Sequence, residues 1–368
     1  MEGGRRASGP ALRIFLWSRA AIWALAAAVA LLLDDRLNPK RSAWDTARLH
    51  DLGTLADVLA RWDSNWFLKV AAEGYSWPSA TPAFFPLYPL LTGSLGRVLT
   101  GHYVVAGVII SLAAGASAFV LLYRLALPKL GEAGATRTVL LLAVTPMSLF
   151  LGVAYSESLF LALSVACFVL AERGSLGWAA TLAGLALLTR PQGVALLPAL
   201  VVFAWFRPDR LRALATLAIA PVLFLAYPAT LWLWIERPLA FLDAEDQWNR
   251  HLSPLGPFGG VARAVADGDI VELAFAAVTV ALAVMAWRRF GPAYGLYAIG
   301  VLVLGMSVPS ERLGGLYSFP RLSLAAFPCF MALAAVAGGR RRELAVVLAS
   351  GALLALYVVR WSLWYWVS

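Results

Sequence analysis

Charge is scarce in this chain, at 14% of 368 residues, and so are the residues that usually hold metals or cross-links. Two cysteines are present, Cys167 and Cys329, each inside an apolar run, with no CxxC spacing. That is too few for a disulfide framework, and they read as small buried hydrophobes. Only three histidines occur, His50, His102 and His251, so the sequence offers no histidine metal cluster and no metal-ligand set. No HExxH, Walker or GxGxxG pattern is found, which removes the common metalloprotease and nucleotide-binding signals. No fixed-period repeat and no low-complexity linker interrupts the chain, which reads as a single membrane domain over 1–368.

What the chain has instead is apolar length. Hydrophobic residues make up 61%, mean hydropathy is +0.75, and fifteen tryptophans are present. Soluble domains run at about 45–50% apolar and about 25% charged, so a water-soluble protein is excluded. Tryptophan collects at membrane interfaces. The net charge of +9 does not point to nucleic acid. The basic residues cluster in short connectors (Arg5/Arg6, Lys129/Arg137, Arg207/Arg210/Arg212, Arg288/Arg289, Arg340/Arg341/Arg342), the pattern of cytoplasmic loops rather than of a continuous basic groove.

The first apolar run, Ile14–Leu33, follows a basic start and lacks a small-residue cleavage site, so it is expected to be a retained membrane helix. Further spans are expected at Tyr103–Leu127, Thr138–Val153, Ser158–Leu170, Trp178–Leu188, Val194–Phe206, Ala213–Ile235, Val271–Trp287, Tyr294–Met306, Leu322–Val336 and Leu344–Val359. The fold class is therefore all-α: an integral membrane bundle of about eleven transmembrane helices. Several spans fall short of the roughly 20 residues that cross a bilayer, as suits helices lining a protein cavity. With the N-terminus cytoplasmic, alternating loops place a strong excess of Lys and Arg inside and a near balance outside. Two outer loops are long, about 34–102 and 236–269, and both mix Trp, Asp and Arg more than a connector requires.

Candidate chemistry gathers in those loops and at the outer ends of spans. In Arg61-Trp62-Asp63-Ser64-Asn65-Trp66, a helix over Trp62–Ala72 puts Trp62, Trp66 and Lys69 or Val70 on one stripe at the membrane surface. Asp63 then sits at the water–lipid boundary, where a carboxylate can act as general base on a sugar hydroxyl, or else simply caps a helix. Trp62 and Asn65 are candidate substrate contacts beside it. Phe85 and Tyr88 belong to Phe84-Phe85-Pro86-Leu87-Tyr88-Pro89, whose prolines break regular helix and leave an aromatic surface or a re-entrant element. Tyr155 and Glu157, in Tyr155-Ser156-Glu157-Ser158, lie at a membrane mouth, as ligand contacts or as capping residues. Arg190 and Arg321 are outer arginines suited to a phosphate, or to snorkelling. Gln247, Trp248 and Arg250 stand in an acidic-aromatic stretch that suits sugar hydroxyls or a solvated helix.

Taken in order, these motifs resemble the PIG-V-like family, the second mannosyltransferase of GPI-anchor assembly and its bacterial relatives. The matching stretches are Arg61-Trp62-Asp63, Glu73-Gly74-Tyr75, Ala83-Phe84-Phe85-Pro86, Tyr155-Ser156-Glu157-Ser158-Leu159-Phe160, Arg190 with Gly193, and Arg321. The resemblance implies a GT-C-type glycosyltransferase that transfers mannose, with inversion, from polyprenyl-phosphate mannose to a lipid-linked or cell-envelope glycan acceptor. It implies that Asp63 is the catalytic carboxylate of the first outer loop. Arg190 and Arg321 would meet the donor phosphate, and no cofactor is required. Partners would be the lipid-linked donor, a glycan or glycolipid acceptor and the bilayer, with no nucleic acid. The enzyme would sit in the plasma membrane with its site extracytoplasmic, or in the ER membrane of a eukaryote. The family's eukaryotic members have longer outer loops, and the Ala- and Arg-rich composition suits a bacterial protein with another acceptor. Rival readings are a lipid or glycolipid flippase, whose broken helices look similar, and a non-catalytic subunit.

Overall fold

A computed structural model describes residues 2–33, 41 and 44–367, with side chains from residue 9 onward. The start of the first long loop (34–40, 42 and 43) and the side chains of Arg5 and Arg6 lie outside the described residues. A helix satisfies its own backbone hydrogen bonds, which hydrocarbon demands. Accordingly, the described residues are helical and form no strand beyond the isolated bridges Arg250–Ser310 and Ser310–Gly314. Among the described residues, five helices are long and apolar enough to cross a membrane: Gly9–Leu32, Tyr103–Val144, Arg210–Ile235, Ile270–Phe290 and Arg340–Ser362. A sixth span exists if Phe319–Ala325 and Phe327–Val336, bent by 86°, count as one.

The expected eleven spans are not reached on this measure. Leu176–Leu187, Pro191–Trp205 and Pro292–Met306 are apolar but have only 10–17 residues. The expected span at Ser158–Leu170 is a helix, Glu157–Glu172, of 16 residues. Thr138–Val153 is met in part: Tyr103–Val144 joins two helices across a kink at Gly131 (φ 69°, ψ 178°), and the second of them ends at Val144. Beyond Val144 the chain turns at Pro146 into a 3-10 segment, Pro146–Leu151. Proline removes a helical donor and fixes the chain's direction there.

Two compact units interleave along the sequence: 1–74, 86–162 and 334–367 in the first, 75–85 and 163–333 in the second. In the first, the Glu2–Leu32 helix packs along Tyr103–Val144, with Phe15 edge-on to Phe119 at 5.0 Å. Arg340–Ser362 packs on both, and its Glu343 pairs with Arg137 at 2.8 Å. Ser64–Glu73 lies on Leu87–Val98 so closely that a Cβ on Gly93 would stand 2.5 Å from the Ala71 carbonyl oxygen. Only glycine permits that approach.

The second unit pairs Ile270–Phe290 with Pro292–Met306 across the turn at Gly291, and sets Pro292–Met306 against Leu196–Trp205. Its loop residues collect aromatic rings. Phe85 stacks on Phe224 at 6.3 Å and meets Tyr227 at 5.0 Å and Phe241 at 6.0 Å. Tyr75 packs on Tyr227 at 5.7 Å and donates its hydroxyl to the Phe84 carbonyl at 2.9 Å. Burial pushes the Tyr75 hydroxyl well above the usual phenol range, so it acts as a neutral donor.

Arg19, only 6% exposed, is a buried cation of the first unit. Its guanidinium donates to the Ser148 carbonyl, to the Ser148 hydroxyl at 2.5 Å and to the Ala143 carbonyl at 3.3 Å. It thus joins the last turn of Tyr103–Val144 to the 3-10 segment that follows. Arg19→Met removes these donors and leaves buried acceptors bare, at about 1–3 kcal/mol each. Thermal unfolding of the purified protein is expected to fall by several degrees, whereas Arg124→Met, used as a control, leaves it within a degree or two.

Candidate functional site

Within the first unit the site is built around the turn at residues 61–63. The Ser64–Glu73 helix starts later than the sequence expectation, because Trp62 has a positive φ of 53° and stands outside it. Trp62 is consequently buried at 6% exposure, not part of a surface stripe. Trp66 keeps its place on the half-buried face, where Lys69 Nζ lies 5.7 Å from its ring centroid.

Asp63 occupies the N-cap position of Ser64–Glu73 and is half-buried, yet its side chain makes no capping hydrogen bond. The capping alternative therefore does not account for this carboxylate. Its backbone is held instead. The Asp63 N–H donates to the Tyr155 hydroxyl at 3.0 Å, and that hydroxyl donates to the Arg61 carbonyl at 3.2 Å. One phenol thus accepts from the Asp63 N–H and adds a second donor to the Arg61 carbonyl, which already accepts the Ser64 N–H at 3.0 Å.

Tyr155 is itself locked. It is 1% exposed, with Phe150, Trp361 and Phe67 rings at 5.0, 5.7 and 5.9 Å. Its carbonyl accepts the Ser111 hydroxyl at 2.9 Å. Tyr88, fully buried, shares Ser111 at 3.1 Å and donates to the Gly107 carbonyl at 2.9 Å. Burial raises the Tyr88 hydroxyl well above the phenol range, and the nearby Glu157 carboxylate pushes the same way. Glu157 is 5% exposed, at the start of Glu157–Glu172. Asp63, Trp62, Tyr88, Tyr155 and Glu157 are thus parts of one unit, with the two tyrosines as buried supports.

Asn65, expected as a substrate contact, has its amide oxygen occupied by Thr46 Oγ1 and Arg48 Nη1, both at 2.9 Å. Arg48 also pairs with Glu73. Below this lies an acid–histidine network that sequence reasoning passed over. His50 meets Asp45 at 2.6 Å and Asp57 at 3.3 Å, and His102 pairs with Asp51. Among the described residues no group of three or more His, Cys, Asp or Glu is arranged to hold a metal ion.

The remaining candidates belong to the second unit. Arg190 is half-buried at the N-cap of a 3-10 turn, Pro191–Ala195, with Nε 3.5 Å from Gln192 Oε1. Gly193 makes this turn possible: a Cβ there would lie 2.6 Å from the Leu187 nitrogen. Arg321 is 7% exposed in the short turn Phe319–Leu322. Gln247 is exposed, and Trp248 stands 6.0 Å from Phe84, its carbonyl accepting the Ser310 hydroxyl at 2.8 Å. Arg250 pairs with Glu245 at 3.3 Å and bridges Ser310.

A family model described as mannosyltransferase (PIG-V) matches residues 15–204, just over half of the chain. The chain belongs to the PIG-V mannosyltransferase family. The rat GPI alpha-1,6-mannosyltransferase 2 is 34% identical over 158 residues, which is 40% of this chain and 32% of the rat protein. This chain therefore aligns with about a third of that relative's length. Two solved structures from Archaeoglobus fulgidus give weaker likenesses. An oligosaccharyltransferase crystallised with zinc and sulfate has a TM-score of 0.44 at 16% identity, covering 77% of this chain and 45% of that one. The oligosaccharyltransferase AglB, in complex with an inhibitory peptide and a dolichol-phosphate, has a TM-score of 0.43 at 11% identity, covering 94% and 56%.

The family match takes in Asp63, Tyr88, Tyr155, Glu157 and Arg190, and ends before Gln247, Trp248, Arg250 and Arg321. It also ends before the stretch Trp361-Ser362-Leu363-Trp364-Tyr365-Trp366, whose side chains close on the Asp63 turn. Four aromatic residues in six at the end of an apolar span were the signal that could have found it.

Two substitutions test this geometry. Tyr155→Phe leaves the Asp63 N–H without its acceptor, an expected loss of about 1–3 kcal/mol read by thermal or denaturant unfolding. Gly193→Ala forces the Pro191–Ala195 turn off the Leu176–Leu187 helix, and overpacking of this kind costs about 1–3 kcal/mol in the same assay.

Proposed function

We propose that this family member is a membrane glycosyltransferase that moves mannose from a polyprenyl-phosphate-mannose donor to a lipid-linked or cell-envelope glycan acceptor. The observation that carries the reading is the state of Asp63: half-buried at a helix start, making no cap, on a backbone fixed from the side by Tyr155. A half-buried carboxylate on a backbone held in this way can serve as general base toward an acceptor hydroxyl. The multi-pass apolar helices suit a substrate delivered from lipid.

In this reaction Asp63 takes the proton of the acceptor hydroxyl as its oxygen attacks C1 of the mannosyl group. The bond from C1 to the phosphate oxygen breaks, the electron pair leaves with polyprenyl phosphate, and the anomeric centre inverts. The leaving phosphate is a weak base and needs balancing charge more than a proton. Arg190 and Arg321 are the residues we assign to that charge, since a guanidinium stays cationic and bonds phosphate in pairs. The scheme requires no metal or organic cofactor. Trp62, Asn65, Phe85, Tyr88, Glu157, Gln247, Trp248 and Arg250 are retained as residues that shape or support substrate binding. The basic connectors support a cytoplasmic N-terminus and an extracytoplasmic site, in the plasma membrane of a bacterium or the ER membrane of a eukaryote.

The decisive experiment is transfer of radiolabelled mannose from synthetic polyprenyl-phosphate mannose into membrane extracts, comparing wild type with Asp63→Asn. Loss of a general base typically costs about 10²–10⁴-fold, so label transfer is expected to drop by that factor in the variant. Equal transfer by both proteins would remove Asp63 from the chemistry. No transfer by either, with lipid-linked sugar moved across vesicles, would instead establish a flippase.

A further inference from the structure

The turn that carries Asp63 is gripped by the segment at the end of the Arg340–Ser362 helix, within the same compact unit. Trp361 Nε1 donates to the Val58 carbonyl at 2.7 Å, and its ring packs 5.7 Å from Tyr155. The Trp364 ring carries the Arg61 guanidinium 4.2 Å from its centroid, while Arg61 donates to the Asp57 carbonyl at 2.7 Å. Trp366 meets Trp62 edge-on at 5.2 Å and 86°, Trp364 meets it at 6.4 Å, and Trp44 completes the surround at 5.3 Å.

Two backbone features show that these rings are more than filler. Trp62, directly before Asp63, has φ 53°, a conformation that an L residue keeps only when its surroundings over-determine it. Trp364 has φ 63° and sits just past the helix end, where its N–H reaches the Trp361 carbonyl at 3.1 Å and the Tyr365 N–H reaches the Arg360 carbonyl at 2.8 Å. That is the Schellman termination, whose left-handed position is normally glycine. The backbone would be served better by glycine, so tryptophan is retained there for its ring.

We propose that Trp364 and Trp366 are positioning residues: together with Trp361 they form a brace that holds Trp62 in its left-handed conformation and thereby aims the Asp63 carboxylate. The assignment rests on the proposed role of Asp63. If Trp62 relaxes to negative φ, the chain direction through residue 63 changes and the carboxylate is displaced from its line to the acceptor hydroxyl. Rate then falls while donor binding, made elsewhere, does not.

Trp364→Gly is the informative variant, because glycine keeps the helix termination while deleting the ring. Trp366→Ala and Trp366→Phe are its companions, the second retaining an aromatic edge. In full-length protein in lipid nanodiscs, Trp364→Gly and Trp366→Ala are each expected to lower kcat by about 10–100-fold, the scale of a misplacement near 1 Å. KM for polyprenyl-phosphate mannose should stay within about twofold, the scale expected when only transition-state interactions are lost. Trp366→Phe should recover most of the rate. Amide hydrogen exchange gives a readout free of catalysis: residues 61–65 should exchange at least about tenfold faster in Trp364→Gly, while the 103–144 helix is unchanged. Unchanged exchange at 61–65 would overturn the brace, as would faster exchange there with an unaltered kcat. If wild type transfers no mannose at all, the proposed reaction fails, and the exchange comparison still decides whether the brace exists.

Discussion

A single phenolic hydroxyl stands between two peptide groups of the Asp63 turn, accepting from the Asp63 N–H and donating to the Arg61 carbonyl. The turn has little regular structure of its own, since Thr54–Asp57 ends before it and Ser64–Glu73 begins after it. Buried backbone groups in such a turn must find partners, and here the partner comes from residue 155, far along the sequence. The constraint runs both ways. The hydroxyl can serve both groups only if the Tyr155 ring is fixed, which the buried packing of Phe67, Phe150 and Trp361 achieves. Local geometry at the carboxylate is therefore a property of tertiary packing rather than of the Arg-Trp-Asp triplet itself.

The same dependence extends to Arg19. Residues 146–151 leave the end of a long helix as a 3-10 segment, exposing carbonyls that no helix closes. Burying a guanidinium is costly, and it persists because three acceptors at Ala143 and Ser148 receive it. Ser158 adds a second tie, donating to the Leu151 carbonyl at 2.9 Å. Between these ties lies the Val153–Tyr155 stretch, whose Ala154 N–H pairs with the Leu59 carbonyl at 3.0 Å. A charge on the first helix thus supports a turn that supports a tyrosine that supports the Asp63 backbone. Each step is an ordinary hydrogen bond, and none has meaning without the previous one.

Membrane character and helical class were legible because they are written in composition and run length, which need no tertiary information. The span count was less so. Apolar runs such as Trp178–Leu188 look alike whether they cross lipid or fill a bundle, and periodicity cannot tell one from the other. The helix beginning at Ser64 rather than Trp62 was also hidden, because tryptophan has no intrinsic tendency toward positive φ. Only the surrounding rings make that conformation affordable. Asp63, Glu157 and the two arginines were visible as candidates because an ionisable group among apolar residues is costly and asks for a reason. Asn65 drew attention only as a neighbour of Asp63, and its amide oxygen is held by Thr46 and Arg48, partners that no local pattern announces.

The asymmetry has a chemical basis. A residue that exchanges protons or meets a phosphate must be one of a few types, so it stands out by identity. A residue that braces such a group needs only volume, an edge and a rigid attachment, which many side chains in many segments can supply. Trp361, Trp364 and Trp366 lie roughly three hundred positions from the turn they touch, and nothing in their own stretch names Asp63 as its target. What betrays one of them is a local cost: tryptophan in the left-handed position of a helix termination, worth about 1–2 kcal/mol against glycine. A residue that pays locally where a cheaper one would serve the backbone marks an interaction elsewhere. In this chain that interaction closes on the turn that carries Asp63, a half-buried carboxylate at a helix start.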